Sequence, residues 1–262
     1  MASEHDQLRN CVREKLARDQ TVYSMTVRLV RGVEIASIAR TAGFDTVYID
    51  LEHNGFSLET VGQICLACIS LGIAPFVRVP SIDAGFIARV LDCGALGIIA
   101  PHLESAEDAQ SIVRAVKYPP IGTRSLAGLL PQFHFRAGPA ADTIRQLNEA
   151  TMIIAMIESP SGLAAAEQIA AVDGVDILLV GTNDLCGALG IPGQLDHPLV
   201  RDAYARCLEA CRTHHKALGV GGLGSRPDQI KDLVALGARY VSTGNDLSFL
   251  ISAATQMRRQ FV

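Results

Sequence analysis

TMIIAMIESPSGLAAAEQIAAVDGVDILLVGTNDLCGAL, residues 151–189, holds two short apolar runs, 152–157 and 176–180, each ending in a polar turn. The first turn presents Glu158 and the second Asp184, with an amphipathic helix over 161–171 between them. Strands joined through a helix run parallel, which sets their C-terminal ends side by side. The spacing therefore predicts Glu158 and Asp184 at one mouth of a sheet. No Lys or Arg in the stretch neutralises them. Two readings stay open at this point. The acids are turn or N-cap carboxylates, common where a strand enters a helix, or they are donors to a hard divalent cation.

The same alternation extends in both directions. Further strands are predicted at 22–29, 45–50, 73–79, 96–100, 217–221 and 239–243. Helices fall at 34–41, 57–71, 83–93, 105–117, 142–150, 198–215, 227–236 and 247–261, with a short one from 184. A polar amphipathic helix over 3–18 precedes them all. Gly43, Gly72 and Gly94 stand where helices should close. Eight strands alternating with helices, and no hairpin signal, predict an α/β chain closed as a (β/α)8 barrel, a single domain over 1–262. An open doubly wound sheet would call for a dinucleotide fingerprint, and Gly221, Gly222 and Gly224 lack its spacing. The Pro- and Gly-rich segment 118–141 is too long for an ordinary connection and is expected to be a functional loop or lid.

Composition narrows the function classes. Hydrophobic residues make up 49% and charged residues 19% of the 262, which suits a buried core rather than disorder. A formal net charge of −4 without a long basic run argues against nucleic acid and anionic membrane as partners. No apolar run approaches the length of a membrane span, so a cytoplasmic address is expected. The seven cysteines are odd in number and scattered, which argues against a disulfide framework. Cys65 and Cys68 form a C-x-x-C inside an apolar helix, and Cys207 and Cys211 share a helix face; all four are expected to be buried small hydrophobes, not zinc ligands.

In such barrels chemistry sits at the C-terminal ends of the strands. Arg28 falls near the end of strand one, and Asp50, Glu52 and His53 at the end of strand two. Arg78 ends strand three, and Pro101 and His102 follow strand four. An arginine in the apolar context APFVRVP either pairs with a strand carboxylate or holds an anion, and its expected burial favours the anion. His53 alone reads as a loop histidine. Beside Asp50, Arg78 and a cation it becomes a proton-transfer candidate. Asp92 ends a helix, where an acid opposes the dipole. That misfit calls for an outside partner, either His53 or a residue of a neighbouring subunit. His102 and His134 are expected at the surface or in support.

The motifs IDLEH (49–53), VRVPS (77–81), LDCGALGIIAPHLESAEDA (91–109), PPIGTRS (119–125), MIES (156–159), VDGVDILLVGTNDLCGALG (172–190) and HP (197–198) together resemble the HpcH/HpaI aldolase family. The resemblance runs over nearly the whole chain. It implies a barrel of the phosphoenolpyruvate/pyruvate type, assembled as a hexamer (a trimer of dimers) with the C-terminal helix exchanged between neighbours. It implies that Glu158 and Asp184 ligate magnesium or manganese, with cobalt or zinc sometimes accepted. It assigns proton transfer to His53 with Asp92 assisting and Asp50 in support. Arg78 would hold the oxyanion of a bound 2-oxo acid, and Gly181 and Asn183 would meet the substrate in the turn of Asp184. Where the family often has Gln-Ile-Glu, this chain has Met156-Ile157-Glu158, and where it has Gly-Pro-Ala-Asp, this chain has Gly181-Thr182-Asn183-Asp184. A tryptophan frequent near strand one is missing, and the 122–135 loop looks like that of the macrophomate-synthase branch.

The resulting expectation is reversible aldol cleavage of a 4-hydroxy-2-oxo acid to pyruvate and an aldehyde. A Schiff-base route needs a lysine at a strand end, and the predicted strands carry none. Two alternatives are an acyl-CoA carbon–carbon lyase of the citrate-lyase β-subunit type and a non-catalytic protein that binds 2-oxo acids.

Overall fold

Eight parallel strands close into a barrel in chain order, β1 pairing with both β2 and β8. The computed structural model describes residues 7–261, so residues 3–6 of the expected first helix lie outside the described residues. The strands are β1 (Val22–Val27), β2 (Thr46–Asp50), β3 (Ala74–Arg78), β4 (Gly97–Ala100), β5 (Met152–Ile157), β6 (Ile177–Gly181), β7 (Ala217–Gly221) and β8 (Ala238–Asn245). The helices are α1 (Cys11–Ala17), α2 (Glu34–Thr41), α3 (Leu58–Ser70), α4 (Ala84–Asp92), α5 (Ala106–Val116), α6 (Ala140–Ala150), α7 (Pro160–Ala164), α8 (Ala166–Ala170), α9 (Thr182–Ala188), α10 (Pro198–Thr213), α11 (Pro227–Leu236) and α12 (Asp246–Arg258).

Successive side chains of a strand point to opposite faces. One set packs outward against the helices, for example Val47, Ile49, Ile153, Ala155 and Ile157. The other set fills the barrel, where Tyr48, Phe76, Ile154, Met156, Leu179 and Tyr240 form a separate cluster. Continuing the inward set by two residues toward the C-terminal mouth decides the site. Asp50 follows Tyr48, Arg78 follows Phe76 and Glu158 follows Met156. The opposite mouth is closed by α1. Asn10 caps that helix and its Nδ2 donates to the carbonyls of Leu96 and Ala150.

The 118–141 segment departs from expectation. It packs on the N-terminal face of the barrel, away from the mouth that holds Glu158. Arg124 Nη2 reaches Asp92 Oδ1 at 2.6 Å, and Gln132 Nε2 donates to the carbonyls of Leu91 and Ala95. These contacts satisfy polar groups at the C-terminal end of α4 that a helix leaves open. Tyr118 and Leu130 bury against Leu147 of α6. The segment is thus a bottom cover and no lid to the mouth of its own barrel.

Smaller differences have local causes. The helix expected over 161–171 is broken at Ala165 into α7 and α8. The short helix begins at Thr182, ahead of Asp184, and β8 continues two residues past the expected end. All seven cysteines are free, five of them buried, and burial pushes the thiols of Cys68, Cys207 and Cys211 up to about 12. Such thiols stay protonated and unreactive. Among the described residues no helix is long and apolar enough to cross a membrane.

Candidate active site

A cleft of about 620 Å³ opens at the C-terminal mouth and is lined by residues from β1, β2, β3, β5, β6, β7, β8 and α12. Of the residues singled out from sequence, Asp50, His53, Arg78, Glu158, Gly181, Asn183 and Asp184 all line it. Asp92 does not. It sits at the C-terminal end of α4, on the opposite face, paired with Arg124. The expected contact between Asp92 and His53 is therefore absent within one chain.

Asp50 is the hub of one wall. It is fully buried and both of its oxygens are engaged. Arg78 Nε donates to Oδ1 at 3.0 Å and Nη2 to Oδ2 at 2.9 Å, a bidentate pair. The backbone N–H groups of Glu52 and His53 donate to Oδ1, and Asn54 Nδ2 to Oδ2. Burial alone would push the Asp50 carboxyl up, but the hydrogen bonds and charge of Arg78 outweigh it and the net direction is down. Arg78 also stands 2.9 Å from Glu52 through Nη1 and lies over the Tyr48 ring, 5.4 Å from its centroid. A strand carboxylate thus pairs with Arg78, as one of the two sequence readings allowed, and the guanidinium still lines the cleft.

His53 is half exposed at the rim, its side chain 51% accessible, with Nε2 3.7 Å from Glu52. Glu52 and His102, minor figures in the sequence, prove central to the wiring. His102 Nε2 lies 2.7 Å from Glu52 Oε1, and its backbone N–H donates to Glu158 Oε2 at 3.1 Å. One histidine thereby ties the ends of β2, β4 and β5 together.

Glu158 is 4% exposed, and its Oε1 has no hydrogen-bond partner. Burial raises its carboxyl above the usual range. The His102 backbone and ring oppose the rise, and the nearby charges of Asp184 and Glu52 add to it. Space for the group exists because residue 181 is glycine: a Cβ there would fall 2.5 Å from Glu158 Oε1. The turn that carries Asp184 is pinned by Thr182, whose hydroxyl donates to the Gly221 carbonyl at 2.6 Å and meets the Tyr204 hydroxyl at 2.7 Å. A buried, unpartnered carboxylate oxygen beside a second carboxylate fits a hard divalent cation. Among the described residues no group of three His, Cys, Asp or Glu could hold a metal. A cation held by these two carboxylates would need its remaining donors from outside the protein, a set that magnesium accepts.

Among the described residues no lysine lines the cleft. Burial pushes the amine of Lys117 down to about 8, but its Nζ donates to the carbonyls of Asn148 and Thr151 at the far end of the barrel. Sequence reasoning passed over Asp246, a buried carboxylate that accepts the backbone N–H groups of Arg28, Leu29 and Val30. Its only sequence signal is the polar end of an otherwise apolar strand.

Comparison with known proteins bears on the family and the fold. The 4-hydroxy-4-methyl-2-oxoglutarate aldolase of Hapsidospora irregularis is 36% identical over 250 residues, 94% of this chain and 93% of that protein. The crystal structure of an HpcH/HpaI aldolase from Desulfitobacterium hafniense superposes with a TM-score of 0.91 at 28% identity, covering 95% of each chain. Macrophomate synthase shares the fold, with a TM-score of 0.79 at 24% identity over 98% of this chain and 91% of that one. The sequence profile described as HpcH/HpaI aldolase/citrate lyase matches residues 31–253. With a closed barrel, a carboxylate pair at its C-terminal mouth and a profile match over most of its length, the chain belongs to the HpcH/HpaI aldolase/citrate lyase family.

Proposed function

We propose that the protein is a metal-dependent class II pyruvate aldolase that reversibly cleaves a 4-hydroxy-2-oxo acid to pyruvate and a carbonyl compound. The observation that carries the reading is the buried, unpartnered Oε1 of Glu158 beside Asp184, in a cleft that offers no lysine for an imine. Glu158 and Asp184 would hold magnesium or manganese, with cobalt or zinc as substitutes. Bound there, the cation supplies Lewis-acid polarisation of the 2-oxo acid.

The chain's own residues account for the rest. In cleavage the 4-hydroxyl loses its proton, the C3–C4 bond breaks, and its electron pair leaves C3 as the enolate of pyruvate. Arg78, locked by Asp50 and Glu52, presents fixed positive charge where the keto oxygen becomes an oxyanion, at no cost in reorganisation. His53 at the rim takes the hydroxyl proton and returns a proton to C3. Gly181 and Asn183 border the substrate beside Asp184. The test is a panel of aldehydes offered to the metal-loaded protein with pyruvate. The reading expects at least one 4-hydroxy-2-oxo acid to form, and formation to stop on chelation; product that still forms after chelator treatment would contradict it.

The same reading includes a homo-oligomer, a hexamer built as a trimer of dimers. Its support is α12, which exposes Leu247, Leu250, Ile251 and Met257 and buries only Asp246. That apolar surface, large for a helix in water, is assigned to a second copy of this chain. Asp92, too far from His53 of its own chain, then serves His53 of a neighbour. Co-expressing His53→Ala with Asp92→Asn is expected to recover activity above either variant alone, because mixed assemblies contain sites with both groups intact. No recovery in assemblies shown to be mixed would remove Asp92 from the site.

A further inference from the structure

Arg28 has no role in the chemistry above, and its surroundings are unusual for an idle residue. It continues the inward set of β1 by two residues beyond Ser24 and Thr26, the positions that meet Tyr240 and Ser242 of the adjacent β8. The backbone it springs from is clamped by one buried carboxylate. Asp246 accepts the N–H groups of residues 28, 29 and 30 at 2.8–3.1 Å. Three donors on one acid hold this turn far more firmly than a loop ordinarily is.

The side chain itself is under-used. Its one ion pair among the described residues runs from Nε to Asp50 Oδ2 at 3.5 Å, with the side chain 40% exposed. Asp50 is already matched by the bidentate Arg78 and by three further donors. Arg28 adds little there. Among the described residues no side-chain hydrogen bond engages its two Nη groups, and the residue lines the cleft. Arg31 nearby, by contrast, donates to the Gly55 carbonyl and stacks on Phe56.

Position gives this free fork a meaning. In a closed barrel of eight strands β1 lies across from β5. Arg28 therefore stands at the rim opposite Glu158. The wall beside it, from β8 and the start of α12, carries the neutral groups Ser242, Asn245 and Ser248. A substrate that extends across the mouth from Glu158 and Asp184 would bring its far end to this wall. A guanidinium with two open Nη groups recognises a planar carboxylate bidentately.

We infer that Arg28 is a specificity-determining residue that binds a carboxylate on the carbonyl partner, so that the substrate is a 4-hydroxy-2-oxo diacid and its cleavage yields pyruvate and an oxo acid. The inference rests on the pyruvate reading above. It differs from that reading in naming the second product's class. A neutral aldehyde would leave the fork without a partner in the cleft.

The experiment compares kcat/KM for condensation of pyruvate with carboxylate-bearing acceptors (glyoxylate, succinic semialdehyde) and neutral ones (acetaldehyde, propanal), using the manganese-loaded full chain. Wild type is expected to favour the charged acceptors. In Arg28→Ala the charged-to-neutral ratio should fall about 100-fold, the scale of one charge-assisted bidentate pair, and Arg28→Lys should restore part of it. The neutral acceptors report folding within the same variant. A ratio unchanged within about threefold in Arg28→Ala, or a wild type that prefers neutral acceptors, would overturn the assignment. Failure of wild type to exchange pyruvate methyl protons would overturn the pyruvate reading itself, a result separable from either of these.

Discussion

Glu158→Gln is expected to lower kcat by about a thousandfold, the several kcal/mol that a Lewis acid contributes to such a transition state. The amide keeps the shape of the carboxylate and can still accept the His102 backbone N–H. It cannot supply an anionic donor in the place where Oε1 stands without a partner. Manganese affinity, read by calorimetry or electron paramagnetic resonance, should weaken in parallel, and Asp184→Asn should follow in the same direction. Gly181→Ala is a gentler probe of the same space, because its Cβ would crowd Glu158 Oε1. Turnover of Glu158→Gln within tenfold of wild type would show that the carboxylate is a turn group and nothing more.

Arg78→Ala should cost both activity and stability. It leaves Asp50 fully buried with its strongest partner gone and Glu52 without its guanidinium. Removing one member of a buried pair costs about 3–5 kcal/mol. Arg78→Lys should recover part of the stability but less of kcat, since an ammonium cannot hold both Asp50 oxygens in the fork geometry. The stability loss should depend on pH with a definite sign. The folded Asp50 carboxyl lies below its ordinary value. The pair therefore stabilises above the ordinary aspartate range, and that stabilisation is lost as pH falls through the lowered value. Urea midpoints should separate wild type and Arg78→Ala widely at pH 7 and draw them together as pH falls below the ordinary aspartate range. A constant gap across that range would mean that lost packing on Tyr48, rather than lost charge pairing, dominates.

Much of this was legible in the chain because barrels repeat a simple code. Apolar runs such as 152–157, alternating with helices, located all eight strands, and the polar residues at the ends of those runs picked out Asp50, Arg78 and Glu158. Three things were illegible for physical reasons. The 118–141 segment looks like a lid because Pro and Gly mark length and irregularity, and nothing local records which mouth a loop covers. That depends on Arg124 finding Asp92 and Gln132 finding the Leu91 and Ala95 carbonyls, contacts across up to 41 residues. Asp92 and His53 are both polar residues at element ends, and residue spacing does not show that within one chain they occupy opposite faces of the barrel. His102 and Asp246 were underrated because their work is done through backbone groups of other elements, which leave no mark in residue spacing.

The account turns on a cation at Glu158 and Asp184 activating pyruvate toward loss of a methyl proton. Exchange of the pyruvate methyl protons in deuterium oxide, followed by nuclear magnetic resonance with no carbonyl partner present, isolates that step. Manganese-loaded protein is expected to exchange them, chelator to stop the exchange, added manganese to restore it, and Glu158→Gln to show none. Exchange that continues undiminished in chelator-treated protein would contradict the central claim.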